Sequence, residues 1–226
     1  GTTNDLVGFE ISYCGSIETN AYLEASRQHF EKIGYFTEAD CDVNHLEVGR
    51  VGVRWRDVHA KQAVLCRGFR GSGDPLFPWI AFRCAKGEIL EIRLKDFPED
   101  RILNRGNWLF PTRDGRWRTG TTYAWEPLDT VPSDEAREVI EQRLRALLPD
   151  AQWTIDAHHA AVRPIVHGRK PVLGRHPDHP TLAIFNGLGS KGALQSPWCA
   201  QQLAAHLLDG TPLDPEVDLA RRFPKK

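Results

Sequence analysis

The chain has 226 residues, enough for one large domain or two small ones with a full apolar core. Its 29 basic and 30 acidic residues leave a formal net charge of -1 at pH 7, which argues against nucleic acid or an anionic membrane surface as partner. No apolar run approaches the roughly 18 residues of a membrane span and no signal-peptide pattern opens the chain, so a soluble, cytoplasmic protein without membrane insertion is expected.

The chain starts at Gly1 and contains no methionine, so a processed chain, a tagged chain or a fragment is expected rather than a product that begins at its own initiator. Ser16 to Tyr35, SIETNAYLEASRQHFEKIGY, reads as a helix capped by Thr19 or Asn20. Tyr22, Leu23, Ser26, Phe30 and Ile33 share one side, and Gly34 is the stop. LEVGRVGVRWRDVHAKQAVLCRG then predicts a hairpin followed by a buried strand, Ala63 to Cys66, ending at Gly68. Helix and strand in this order belong to α/β grammar. From Asp74 the style changes. PWIAFRCAKGEILEIRL and NWLFPTRDGRWRTGTTY imply an antiparallel sheet, with Asp114-Gly115 as a hairpin turn.

Ser133 to Leu148 is the clearest helix. Ser133 caps it, Asp134 and Glu135 suit its positive end, and Val139, Ile140, Leu144, Leu147 and Leu148 form its buried stripe. The segment from Trp153 runs through two proline-bounded turns into PTLAIFN, Pro180 to Asn186, a buried strand. A last helix follows, with Ser196 as N-cap, Pro197 at its first position and Gly210 just past its end. Leu203, Ala204, Leu207 and Leu208 fall on one face of it.

Between that strand and that helix stands GLGSKG, Gly187 to Gly192, a literal match to the dinucleotide fingerprint GxGxxG. The fingerprint requires a second strand and a ribose-binding acid about 20 residues on. Only TPLDPEVDLARRFPKK remains after Gly210, with three prolines and no apolar run, so no βαβ unit can form there. What remains is a glycine loop at a helix N-terminus, either a tight turn without ligand or a place where free N–H groups meet an electronegative ligand atom.

His158, His159, His167, His176 and His179 crowd within 22 residues, but no HxxxH or HExxH pair sits on a helix and prolines interrupt the run, so no metal is expected. The five cysteines form no CxxC pair and read as reduced thiols. Cys66 lies beside Arg67, which could favour its thiolate, though a small buried apolar residue is the default for cysteine. Arg163 sits in AAVRPIV, and an arginine in so apolar a setting needs a carboxylate partner or an external anion. An internal salt bridge and the two-pronged grip of a substrate carboxylate both meet that need.

In order, KGEILEI, WLFP, RDGRWRTGTT, a helix ending RALLPD, AAVRP and GRKPVLGRHPDHPTLAIFNGLGSKGALQSP resemble the C-terminal part of the D-amino-acid oxidase/glycine oxidase superfamily of FAD-dependent oxidoreductases, from about Ser12 to Leu208. The resemblance implies an α/β, mixed α+β architecture: part of an FAD-binding Rossmann-like domain in residues 1–73 and 165–226, and an antiparallel substrate-binding domain with one helix in 74–164. It implies FAD as cofactor and a small amine or (D-)amino acid as substrate, oxidised at its C–N bond by hydride transfer to the flavin. It puts the substrate carboxylate on Arg163, an aromatic pocket wall at Trp108, and the redox end of the flavin along Gly187, Leu188, Gly189, Ser190, Lys191 and Gly192. Gly68 falls on the glycine of a strand-end Ala-x-Gly motif near the cofactor, with Cys66 in place of alanine. Where glycine oxidase has a second arginine this chain has Ser190, followed by Lys191 as a further substrate-binding candidate. The family's N-terminal βαβ unit has no counterpart in Gly1 to Cys14, so the chain is expected to be inactive alone and to need that segment, or a partner chain that supplies it. Rival readings are a non-catalytic module that binds small carboxylates and one half of a split flavoenzyme.

Overall fold

The structure, a computed structural model, describes residues 8–225. In chain order it contains α1 (Thr19–Lys32), β1 (Glu47–Val48), β2 (Val53–Trp55), β3 (Val58–Ala60), β4 (Ala63–Leu65), β5 (Ala85–Leu94), β6 (Leu103–Asn104), β7 (Trp108–Pro111) and β8 (Trp117–Gly120). Then follow α2 (Asp134–Leu147), β9 (Trp153–Arg163), β10 (Val172–Arg175), β11 (Leu182–Asn186), α3 (Gly192–Asp209) and α4 (Leu219–Arg222). The elements fall into two compact units. One is Cys84–Arg163 with residues 8–10, and the other is Ile11–Arg83 with residues 164–225.

The first unit is a five-stranded antiparallel sheet, β6-β7-β8-β5-β9, with α2 on one face. The β7–β8 turn carries Asp114-Gly115, where Gly115 adopts φ 78° and Thr112 N–H donates to Arg116 O at 2.8 Å. Ser133 caps α2 by accepting from Ala136 N–H at 3.3 Å. Leu90, Ile92, Leu109 and Trp117 from the sheet close a core with Ile140, Leu144, Leu147 and Leu148. Val139, expected in that stripe, is instead 36% exposed, because the sheet covers only the narrower arc through 140, 144, 147 and 148.

β9 runs eleven residues ahead of the proline-bounded turns, in a stretch for which the sequence reading names no element. It pairs with β5 over nearly their whole length, and the register slips between Glu91 and Ile92, so that Asp156 is an extra residue opposite the pair. Under this sheet face lies a buried charged cluster. The Glu88 carboxylate accepts from Ser133 N–H at 2.8 Å and Ser133 Oγ at 2.9 Å, and lies 2.9 Å from His158 Nε2 and 3.5 Å from Lys86 Nζ. Lys86 in turn holds Asp129 at 2.7 Å.

In the second unit β10-β11-β4 form a three-stranded sheet in which β4 runs parallel to β11 and occupies an edge. The expected hairpin before β4 is a three-stranded antiparallel meander, β1-β2-β3. Phe77 and Ile80 pack with Val166, Val172, Leu182, Ile184 and Leu219, which is why 74–83 groups with this unit. The chain after Gly210 adds no strand, yet Leu213, Val217 and Leu219 are buried and Leu173 N–H donates to Val217 O. α1 ends as expected at Gly34, φ 74°, with Tyr35 N–H on Phe30 O. Its N-cap is Glu18, not Thr19 or Asn20, and none of its residues is buried. Tyr22, Leu23, Phe30 and Ile33 all stand exposed.

His176 is buried between Phe77, Trp79 and His179, and its Nδ1 accepts the N–H groups of Asp178 and His179 at 3.1 Å each. An acceptor Nδ1 requires the neutral ring. Burial lowers its pKa below the ordinary 6.5, helped by the charges of His179 and Lys225 and opposed by Asp178 and by a hydrogen bond to the Leu76 backbone. The unfolded chain therefore takes up this proton first, and stability should fall as pH drops below 6.5. Thermal melts across that range should show the loss, and His176→Asn, which keeps an acceptor that does not titrate, should flatten the slope. An equal slope in the variant would assign the effect elsewhere.

Candidate functional site

Arg163 ends β9, and its side chain does not leave the sheet. The guanidinium lies across the neighbouring strand at Gly87: a Cβ built on Gly87 would stand 1.9 Å from Nη2 and 2.1 Å from Cζ. Nη2 donates to Thr121 Oγ1 at 2.7 Å and Nη1 to Thr122 O at 3.3 Å, while Cζ sits 5.1 Å from the centre of the Tyr123 ring. Burial pulls the Arg163 pKa down, partly offset by Tyr123. Among the described residues no carboxylate pairs with Arg163, so the internal salt bridge is not what its setting provides. A half-buried cation held by neutral partners keeps further N–H groups on its fork, and that fork has the geometry of a carboxylate's two oxygens.

The sheet register fixes what shares this face. Trp108 pairs with Gly120, Gly120 with Ile89, and Ile89 with His159, one step along the strands from Gly87 and Ala161. Trp108, Ile89 and Arg163 therefore project from the same face. Farther along it Glu91 is engaged by Arg116 at 2.6 Å and Arg118 at 2.8 Å. Those two arginines are satisfied within the sheet; Arg163 is not.

In the second unit GLGSKG follows β11. Gly187 adopts φ 79°, where a Cβ would also meet Val166 Cγ2 at 2.9 Å, and Gly189 adopts φ 56°. Lys191 N–H donates to Leu188 O at 3.1 Å, so the loop is already turning helically when α3 begins at Gly192. The expected start at Ser196-Pro197 is thus one turn late. Pro197 lies inside α3, where it has no N–H to offer the carbonyl of Ala193. Gly210 ends the helix in the left-handed conformation, as expected. The N-cap residue Lys191 makes no side-chain capping bond, which leaves first-turn N–H groups for an electronegative atom. Ser190 and Lys191 are exposed, and Leu188 and Gly192 are half-buried.

Asn186 joins this loop to the one after β4. Buried to 3% exposure, it accepts from Gly187 N–H at 2.8 Å and donates to Gly68 O at 2.9 Å. Gly68 is thereby brought to the glycine loop. Asn186, Gly87, Thr121 and Tyr123 were not singled out in the sequence. The one local signal was a glycine interrupting the apolar strand KGEILEI. Cys66 is exposed as a residue rather than buried, yet lost hydration around its sulfur pushes the thiol pKa up. Its neighbour Arg67 is bound to Asp74 at 2.6 Å, so the thiolate is not favoured. Among the described residues no group of three or more His, Cys, Asp or Glu side chains could hold a metal ion, and no helix is long and apolar enough to cross a membrane.

Residues 4–206 match the model of the DAO family, described as FAD dependent oxidoreductase. Glycine oxidase of Pseudomonas putida is 31% identical over 196 residues, covering 79% of this chain and 50% of that protein. Among solved structures, iminodiacetate oxidase from Chelativorans sp. BNC1 superimposes with TM-score 0.65 at 22% identity, covering 79% of this chain and 51% of that one. L-amino acid deaminase from Proteus vulgaris superimposes with TM-score 0.65 at 18% identity, covering 86% and 52%. The chain spans about half the length of the first relatives it matches.

Proposed function

The chain belongs to the FAD-dependent oxidoreductase family, and from that premise we propose that it is the portion of an amine or amino-acid oxidising flavoenzyme that holds the substrate carboxylate and the redox end of the flavin. The observation that carries the reading is Arg163, a half-buried cation with no carboxylate among the described residues. Arg163 would take the substrate carboxylate in its fork, and Trp108 and Ile89 would wall the same face.

The residues present fit the cofactor. Gly187, Gly189 and Lys191 spend their N–H groups inside the loop, on Asn186 Oδ1, Pro164 O and Leu188 O, and so fix its shape, while the uncapped start of α3 at Gly192 leaves first-turn N–H groups for an electronegative atom. Gly187, Leu188, Gly189, Ser190, Lys191 and Gly192 would hold the pyrimidine edge, with Gly68 nearby. When bound, the flavin would accept the hydride from the substrate carbon that bears nitrogen, and the chain's own contribution would be orientation and electrostatics. The uncapped first-turn N–H groups of α3 would favour the negative charge that builds on that edge, and the Lys191 ammonium would add to it.

The Cys84–Arg163 unit would be the substrate-binding domain and the other unit part of the flavin domain. The rest of the cofactor site would come from the family's N-terminal βαβ segment, on this polypeptide or on a partner chain. Among the described residues nothing pairs with the outer edge of β4 and no residue of α1 is buried, which supports that completion. Free thiols at all five cysteines suit a cytoplasmic setting.

An absorption spectrum after mixing with FAD and desalting tests the reading, with and without a co-expressed GxGxxG segment. The chain alone should lose the flavin bands and oxidise nothing. The completed protein should keep them and oxidise glycine, sarcosine or a D-amino acid. Retained flavin without turnover of any amine would favour the non-catalytic carboxylate-binding module, and ordinary turnover by the chain alone would refute the partial site.

A further inference from the structure

We propose that Gly87 and Thr121 are positioning residues for the carboxylate site, setting the guanidinium of Arg163 flat on the sheet; the inference rests on the reading of Arg163 given above. Gly87 is the buried third residue of the ten-residue strand β5, inside its ladder, where glycine weakens the strand and a side chain would be preferred. Its φ is not in the left-handed region, so the backbone does not require glycine. What requires it is space. Any Cβ there would overlap Nη1, Nη2 and Cζ of Arg163, all within 2.1 Å. These atoms are the mobile end of a long side chain, so alanine should leave the strand intact and push the guanidinium away.

Thr121 supplies the complementary constraint. Its hydroxyl donates to Glu88 O at 3.0 Å on β5, which turns its lone pairs toward Arg163 Nη2, and the 2.7 Å bond follows. Thr122 fastens the same segment to β5 through Glu88 N–H on its Oγ1 at 3.0 Å, while its own carbonyl takes Nη1. The fork is thus clamped from below by an absent side chain and from one edge by two threonines. Preorganising a long, flexible cation in this way saves rotamer entropy when the ligand arrives.

The test uses the 226-residue chain and two probes, glycolate and its neutral analogue glycolamide, titrated while the Arg163 side-chain N–H resonances are followed by NMR. Wild type should respond to glycolate and far less to glycolamide, and Arg163→Met should lose the preference. Gly87→Ala should keep its circular dichroism and its unfolding midpoint but bind glycolate about ten-fold or more weakly, the equivalent of roughly one charge-assisted hydrogen bond. Thr121→Val should weaken it several-fold.

A merely structural glycine would give the opposite split, a lower midpoint with unchanged affinity in the folded fraction, and that result overturns the inference. If Gly87→Ala does not fold, Thr121→Val decides, and wild-type affinity in that variant overturns it equally. Wild-type binding by Arg163→Met, or a wild type blind to the difference between glycolate and glycolamide, would instead sink the carboxylate reading and the inference with it.

Discussion

Replacing Arg163 by methionine is expected to cut the kcat/KM of the completed enzyme for a carboxylate-bearing amine by about a thousand-fold or more, roughly 4 kcal/mol, while leaving the fold no less stable. Methionine keeps much of the length and apolar stem but removes the charge and the fork. The loss is large because the partner left behind is an ionised carboxylate that must still be desolvated. Stability should move the other way, since the guanidinium is half-buried with no carboxylate partner among the described residues. Arg163→Lys should fall between, retaining charge without two-pronged geometry. Steady-state kinetics on a carboxylate-bearing and a carboxylate-free amine, with thermal melts alongside, would check both signs. An equal loss on the two substrates would show that Arg163 does not act through the carboxylate.

The largest stability effect is expected at Glu88. This carboxylate is 3% exposed and serves both Ser133 groups that start α2, with His158 and Lys86 beside it. Glu88→Ala leaves a buried lysine with one carboxylate fewer, an N-terminal turn without its acceptor and a void beneath the core. Breaking such a buried arrangement from one side should cost about 3 kcal/mol or more. Urea unfolding should show a lower midpoint with little change in slope. A loss below about 1 kcal/mol would mean that water replaces the carboxylate, and that the cluster is not holding the sheet to α2.

The elements that the sequence announced most clearly are those whose signals are local. Ser133 with its acidic first turn and the 3.6-residue stripe gave α2, Asp114-Gly115 gave the β7–β8 turn, and Gly34 and Gly210 marked helix ends. β9 was hidden because the extra residue Asp156 breaks its alternation: Trp153 and Ile155 face the core before it and His158 after it. Pro197 misplaced the start of α3, because a proline-compatible first turn and an inner turn look alike in sequence when a loop begins to coil early. The three apolar residues that dock the C-terminal tail are spaced singly among prolines and acids, so no run betrayed them.

At the site the same division holds. Arg163 was legible because its apolar surroundings and the proline after it are its sequence neighbours. Gly87, Thr121 and Tyr123 lie dozens of residues away and meet it only through strand register, which no single stretch encodes. Asn186 was passed over because a polar residue at a strand end reads as the start of a turn. Its meaning lies in Gly68, far upstream.

Asn186 also precedes a glycine, and that pair has a chemical lifetime. In an unfolded chain the Gly187 nitrogen can attack the asparagine side chain, expelling ammonia through a cyclic imide and leaving aspartate or isoaspartate. Folding restrains the reaction, because the amide is pinned between Gly187 N–H and Gly68 O and is shut away from water. Each excursion to an open state exposes it. An aged molecule would carry a new negative charge at the mouth of the loop and no N–H for Gly68, so the glycine loop would keep a record of how often the protein has opened.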